Sequence, residues 1–152
     1  MTASHTLAAD AVSLGYADRQ VVNDLSVAIP SAKFTVIVGA NACGKSTLLR
    51  GLARLLAPRS GTVLLDGKSI QAMPTREVAT VLGVLPQSPI APDGIVVADL
   101  VARGRYPHQG WFRRWGAEDD AAVERALTAT DTLELAQRPV DELSGGQRQR
   151  VW

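Results

Sequence analysis

Gly39-Ala40-Asn41-Ala42-Cys43-Gly44-Lys45-Ser46-Thr47 decides the reading of this chain. The stretch fits G-x-x-x-x-G-K-[ST], the pattern of a phosphate-binding P-loop, or Walker A motif. Before it, Phe34-Thr35-Val36-Ile37-Val38 is apolar and β-branched and predicts a buried strand. After it, Leu48, Leu49, Leu52, Leu55 and Leu56 recur at helical spacing. A loop that opens a helix leaves several N–H groups unpaired and aimed at one spot. The helix dipole adds partial positive charge there, and phosphate oxygens satisfy both features. Gly39, Asn41, Ala42, Cys43, Gly44, Lys45, Ser46 and Thr47 are therefore the predicted nucleotide-binding residues. Lys45 is placed to reach the β- and γ-phosphates and the Ser46 hydroxyl to ligate Mg²⁺.

The bulk composition sets bounds around that loop. A chain of 152 residues amounts to about one domain, and 46% apolar residues suffice for a packed core. Sixteen basic and 15 acidic residues leave a net charge of +1, so nothing electrostatic argues for nucleic acid or an anionic membrane. One cysteine excludes an internal disulfide and fits a reducing compartment. Met1 to Asp10 has no basic region leading into an apolar core, and no apolar run is long enough to span a bilayer. The expectation is a cytoplasmic protein that reaches a membrane only by docking on other subunits.

Outward from the loop, the chain reads in two styles. Val12, Leu14 and Tyr16 alternate within Leu7 to Tyr16, and Leu25, Val27 and Ile29 alternate again, predicting an antiparallel β opening. Pro58 to Gly61 is a turn, Thr62 to Leu65 a short strand, and Asp66-Gly67 a hairpin signal. Thr75 to Thr80 predicts a helical turn and Val81 to Leu85 another apolar strand. Ser88 to Gly94 is a loop. Val97, Leu100 and Val101 share a helical face, and Arg103 to Trp115 reads as irregular. Glu118-Asp119-Asp120 opens a helix, its acids favoured by the dipole, with Val123, Ala126, Leu127 and Thr130 as its inner face. Ser144 can cap a last helix. The predicted division is a β-rich nucleotide-binding lobe over 1–87 and a helical lobe over 88–152.

Leu143-Ser144-Gly145-Gly146-Gln147 then settles which kind of P-loop protein this resembles. Two glycines after a capping serine let main chain approach a phosphate closely. Behind a P-loop, the run resembles the LSGGQ signature of ATP-binding cassette (ABC) ATPases. The resemblance covers essentially the whole chain. It implies an α/β P-loop NTPase fold: an antiparallel β subdomain, a RecA-like core and a helical signature subdomain. Tyr16, after Leu14-Gly15, matches the aromatic that stacks on adenine, the alternative being a strand-end core tyrosine. Gln87, in Leu85-Pro86-Gln87, matches the Q-loop glutamine that touches Mg²⁺ and the attacking water. The resemblance also implies a head-to-tail pair of subunits. Ser144, Gly145, Gly146 and Gln147 would then complete, in trans, the ATP site that the P-loop of the other copy begins.

Arg103-Gly104-Arg105-Tyr106-Pro107-His108-Gln109, with Trp111, Phe112 and Trp115, is similar to the ATPase subunits of ferric-siderophore importers of the enterobactin type. That implies ATP and Mg²⁺ as cofactors and a peripheral place on the cytoplasmic face of the bacterial inner membrane. A membrane permease would dock near Gln87 and Arg103 to Trp115, and a siderophore-binding protein would act indirectly. The aromatics are a docking patch or pack locally on the helical lobe. A non-transport ABC ATPase and a nucleotide-binding fragment without activity remain alternative readings.

The chain departs from the family pattern in two places. The family's Walker B strand, with its Mg²⁺-ligating Asp and catalytic Glu, and the switch histidine have no counterpart in these 152 residues. The expectation is the N-terminal part of a longer ATPase, lacking its general base. On its own it should fold poorly and show no steady hydrolysis, and phosphate release above buffer background from a monodisperse 1–152 chain would contradict that. Ala40 and Ala42 stand where the family usually has Pro and Gly. Ala42 is expected to hold the loop less comfortably, because alanine at positive φ costs about 1 kcal/mol or more. Cys43 in the same loop is either a redox-sensitive thiol or a small packed side chain.

Overall fold

The computed structural model of the chain describes residues 4–110 and 115–152. It forms two compact units, Met1–Gly83 and Val84–Trp152.

The first unit is built on an antiparallel sheet. Strands β1 (Leu7–Tyr16), β2 (Arg19–Ile29), β3 (Ser60–Leu65) and β4 (Lys68–Ser69) lie in the order β2-β1-β3-β4. The alternation read in β1 puts Val12 and Leu14 into the core with no exposed surface, beside Val63, Leu65 and Ile70. The hairpin at Asp66-Gly67 has φ of 51° and 75°. Both values are positive, as a two-residue type I′ turn needs. Asp66 also ties down the start of the chain: its carboxylate accepts from Thr6 N and meets His5 Nδ1, each at 2.7 Å. The His5 bond, then the Thr6 N–H, hold its pKa below the usual value.

Helix α1 (Lys45–Leu52) packs Leu48 and Leu52 on the sheet, and α2 (Thr75–Val81) adds Val78. The approach of α1 to β1 requires a glycine. A Cβ at Gly51 would sit 2.6 Å from Leu14 Cδ1 in the fully buried heart of the sheet. No side chain fits there unless Leu14 moves, and cores resist such shifts.

Three expectations of the sequence fail in this unit. Residues 34–38 are not a buried strand. They pair with no strand among the described residues, and Phe34, Val36 and Val38 are 104%, 78% and 84% exposed. At a period of two those three share one face, while Ile37 on the other face packs against the core. A strand buried on both faces needs flanking ladders, and the ladder order above contains none for this segment. Val81 closes α2, and 82–86 form no strand, with Val84 and Leu85 exposed. The leucine periodicity overruns the helix. Arg54 adopts φ 60° just past Leu52, so Leu55 is exposed and Leu56 packs from outside the helix.

The second unit is helical. Helix α3 (Val97–Ala102) runs into a 3₁₀ turn over Arg103–His108, so the stretch expected to be irregular is partly helical. Helix α4 (Ala117–Ala129) follows, then two short 3₁₀ turns and α5 (Gly145–Val151). Val97, Leu100, Leu127, Leu135, Val140, Leu143 and Val151 make its core. Of the inner face expected for α4, Leu127 is buried and Val123 packs beside it, but Ala126 and Thr130 are exposed. Asp119 in the first turn is fully buried. Its carboxylate accepts from Arg105 Nε at 2.9 Å and from Gly116 N at 3.2 Å. Trp111 and Phe112, expected in an aromatic patch, lie outside the described residues.

Candidate functional site

The first unit gathers Tyr16 and the whole of 39–47 around the start of α1. Gly44 precedes the helix at φ 101°, with no side chain bonding the free N–H groups behind it. Leu48 N is the first to reach back, to Gly44 O at 2.8 Å. Lys45, Ser46 and Thr47 precede it in the first turn, where helix amides have no intrahelical partner and suit an anion. Gly44 is confined as well as left-handed. A Cβ there would meet Val21 Cγ1 at 3.1 Å, so β2 presses directly on the loop. Ala42 takes φ 62°, the left-handed conformation that alanine disfavours.

Lys45 turns back across this loop. Its Nζ donates to Gly39 O at 2.9 Å and Ala40 O at 2.7 Å, and lies 3.8 Å from Cys43 Sγ. Among the described residues the cation is held on the loop by carbonyls and a thiol, neutral partners that a phosphate can displace. Cys43 is exposed, and its Sγ is the atom a Cβ at Gly39 would strike, at 2.8 Å. Ser46 is exposed at the same helix end, and Thr47 is buried.

Tyr16 closes β1 beside the helix. Its hydroxyl accepts from Arg50 Nη1 at 3.3 Å, and bonds to Arg50 and Thr47 hold its pKa below that of an ordinary phenol. The ring is 42% exposed, so it is not a core tyrosine. Arg50 lies outside the loop motif. Its place one turn after Thr47, on the helix that starts at the loop, is the signal that points to it.

In the second unit Gln87 is exposed in a bend. Ser144 caps α5 as expected, and the cap is reciprocal. Gln147 N donates to Ser144 Oγ at 3.3 Å, and Ser144 N donates to Gln147 Oε1 at 3.0 Å. This capping box uses both polar side chains of the run. Between them Gly145 and Gly146 face open space, since a Cβ at either would meet nothing within 4 Å. No helix among the described residues is long and apolar enough to cross a membrane.

A P-loop sequence ahead of a helix, in a unit built on an antiparallel sheet, and a second glycine-led helix start on a helical unit are the features of one class, the two-lobed P-loop proteins. The chain belongs to the ABC transporter family, whose profile matches residues 22–152. It is 53% identical over 146 residues to the probable siderophore transport system ATP-binding protein YusV of Bacillus subtilis (strain 168), covering 96% of this chain and 53% of that protein. It is 51% identical over 146 residues to the ferric enterobactin transport ATP-binding protein FepC of Escherichia coli (strain K12), covering 96% and 54%. Among solved structures it resembles the inward-facing form of a putative metal-chelate type ABC transporter. The TM-score is 0.76 at 28% identity, over 98% of this chain and 54% of that one. CbiO1 of Clostridium perfringens, part of the ABC transporter complex cbiONQ, matches with a TM-score of 0.81 at 26% identity, over 98% and 59%. The chain spans about half the length of the curated relatives it matches.

Proposed function

We propose that this chain is the nucleotide-gripping part of an ABC ATPase subunit that energises import of iron(III)-siderophore across a bacterial cytoplasmic membrane. The observation that carries the nucleotide reading is the start of α1 without a side-chain cap, with Lys45 folded back on the carbonyls of Gly39 and Ala40. The substrate reading rests on the relatives, named for siderophore, achromobactin, petrobactin and ferric enterobactin transport.

Each residue then has a role its own chemistry supports. The amides of 44–46 and the Lys45 ammonium hold the phosphates. Tyr16, exposed at the flank of α1, offers its ring to the adenine. Ser46 supplies one hydroxyl to Mg²⁺. Among the described residues no group of three His, Cys, Asp or Glu could hold a metal. The ion would take its other ligands from phosphate and water, as Mg²⁺ commonly does. Gln87 positions water. Ser144 to Gln147 present the start of α5 to the nucleotide of a second copy arranged head to tail. Bound Mg-ATP supplies the phosphoryl-transfer chemistry, and the protein's part is placement and charge stabilisation. The subunit works at the inner face of the membrane through permease subunits that dock near Gln87 and Arg103 to Trp115.

The test is genetic and calorimetric. Deleting the gene should abolish siderophore-dependent iron uptake, and a Lys45→Ala copy should neither restore it nor bind Mg-ATP. Unchanged uptake after deletion would overturn the substrate reading. Unchanged Mg-ATP affinity in Lys45→Ala would overturn the site.

A further inference from the structure

Tyr16 is held at more points than a surface aromatic needs. It ends β1 opposite Arg19 on β2, so the chain reverses through Ala17 and Asp18, with Ala17 at φ 42°. Arg59, just ahead of β3, pins the main chain on both sides of the tyrosine. Its N–H donates to Ser13 O at 2.8 Å, and its Nη2 donates to Ala17 O. With the main chain fixed, the freedom left to Tyr16 is rotation of its side chain.

Arg50 takes up that freedom. Thr47 and Arg50 are three apart on α1 and so share a face of the helix. The Arg50 guanidinium donates to Tyr16 Oη at 3.3 Å, and Thr47 bonds the same hydroxyl. One phenol oxygen thus ties the aromatic ring to the helix that begins at the phosphate loop. An exposed phenol has water as an alternative partner, so the bond adds little to stability. What it changes is the cost of using the ring. A free aromatic side chain loses rotamer freedom when a flat ligand settles on it, and one already held does not. Arg50 also stands in the last turn of α1, where the helix dipole favours a cation. A guanidinium pointing anywhere over that turn would serve the dipole, whereas this one reaches across to the end of β1.

We propose that Arg50 is a positioning residue for the nucleotide base. Through the Tyr16 hydroxyl it holds the aromatic ring at the flank of α1, so that base and phosphates meet one preformed frame. The proposal rests on the reading above in which Tyr16 offers its ring to adenine.

The experiment is calorimetry on the full-length subunit with two ligands, Mg-ATP and Mg-tripolyphosphate, which has the phosphates without the base. Arg50→Met keeps the length of the side chain and removes its donors. It should weaken Mg-ATP about twofold to tenfold, the range that fixing one side chain is worth, and leave Mg-tripolyphosphate at its wild-type affinity. Tyr16→Phe keeps the ring and loses the hydroxyl. It should weaken Mg-ATP to a similar degree, and adding Arg50→Met to it should cost nothing more. An equal loss on both ligands in Arg50→Met would overturn the proposal, because the guanidinium would then act as a charge on the phosphates. Additive losses in the double variant would overturn it too, by showing that Arg50 does not act through Tyr16. So would wild-type Mg-ATP affinity in Arg50→Met, and a lowered thermal midpoint beside it would assign the arginine to the helix dipole. Tyr16→Ala tests the reading underneath. A loss of Mg-ATP affinity larger than in Tyr16→Phe would support the ring as the base platform, and wild-type affinity would overturn the adenine reading and the proposal with it.

Discussion

Ala42 is the residue where local strain and ligand binding meet. Its φ of 62° costs alanine about 1 kcal/mol relative to glycine, and it sits between Asn41 and Cys43 in the loop proposed to hold phosphate. Ala42→Gly should relieve that strain. Mg-ATP binds up to about fivefold tighter to the full-length protein when the liganded loop holds this turn and the free loop samples others, since strain common to both states cancels. Calorimetry reads this directly, and equal affinities would mean that the free and liganded loops hold the left-handed turn equally. The loop residues themselves are legible in the sequence because the motif is local: nine consecutive residues specify a turn, a helix start and a cation. What Lys45 does without ligand is not legible there. Its bonds to Gly39 O and Ala40 O depend on how the loop folds back on its own carbonyls.

At the scale of elements, α4 shows how a correct local reading can miss the stronger interaction. Acids in a first helical turn read as dipole partners, worth a few tenths of a kcal/mol at the surface. Asp119 is instead fully buried, bonded to Arg105 fourteen residues earlier. Breaking such a pair leaves a guanidinium that is 21% exposed without its carboxylate. Asp119→Ala should therefore destabilise the helical unit by about 3 kcal/mol, several times the dipole contribution. Chemical denaturation followed by α4-region hydrogen exchange checks it, and a loss below about 1 kcal/mol would return Asp119 to a capping role. The same contrast runs through the other elements. Asp66-Gly67 and Ser144 are readable because turn and cap are decided within four residues. The end of α1 is not, because leucines continue at helical spacing past Arg54, whose positive φ turns the chain.

For the whole molecule, what matters most is the surface that 34–38 leaves uncovered. Phe34, Val36 and Val38 form one apolar face directly ahead of the P-loop, with no ladder partner among the described residues. Composition alone reads this segment as a buried strand. Burial, however, belongs to the neighbours and not to the segment. An extended apolar edge of this kind is a template for pairing with another strand. The 152-residue chain should therefore self-associate at micromolar concentration and bind a hydrophobic dye. Val36→Lys should reduce both by severalfold without altering the antiparallel sheet. Sedimentation and dye fluorescence measure this, and a monodisperse chain that binds no dye would show the edge to be covered.

Gly145 and Gly146 carry a consequence of another kind, about what selection can act on. Ser144 Oγ and Gln147 Oε1 each accept from the other residue's main chain, so between them this end of α5 offers the main chain of Gly145 and Gly146. Mutation rewrites side chains and leaves the peptide unit as it was. A contact made of main chain is therefore immune to gradual drift and vulnerable only to obstruction. Among the described residues nothing would obstruct an alanine at either glycine, and alanine would favour the helix by up to about 1 kcal/mol. Any obstacle to that exchange lies outside the described residues. An alanine that raises the thermal midpoint of the free subunit while abolishing ATP-driven pairing would locate the constraint in the partner.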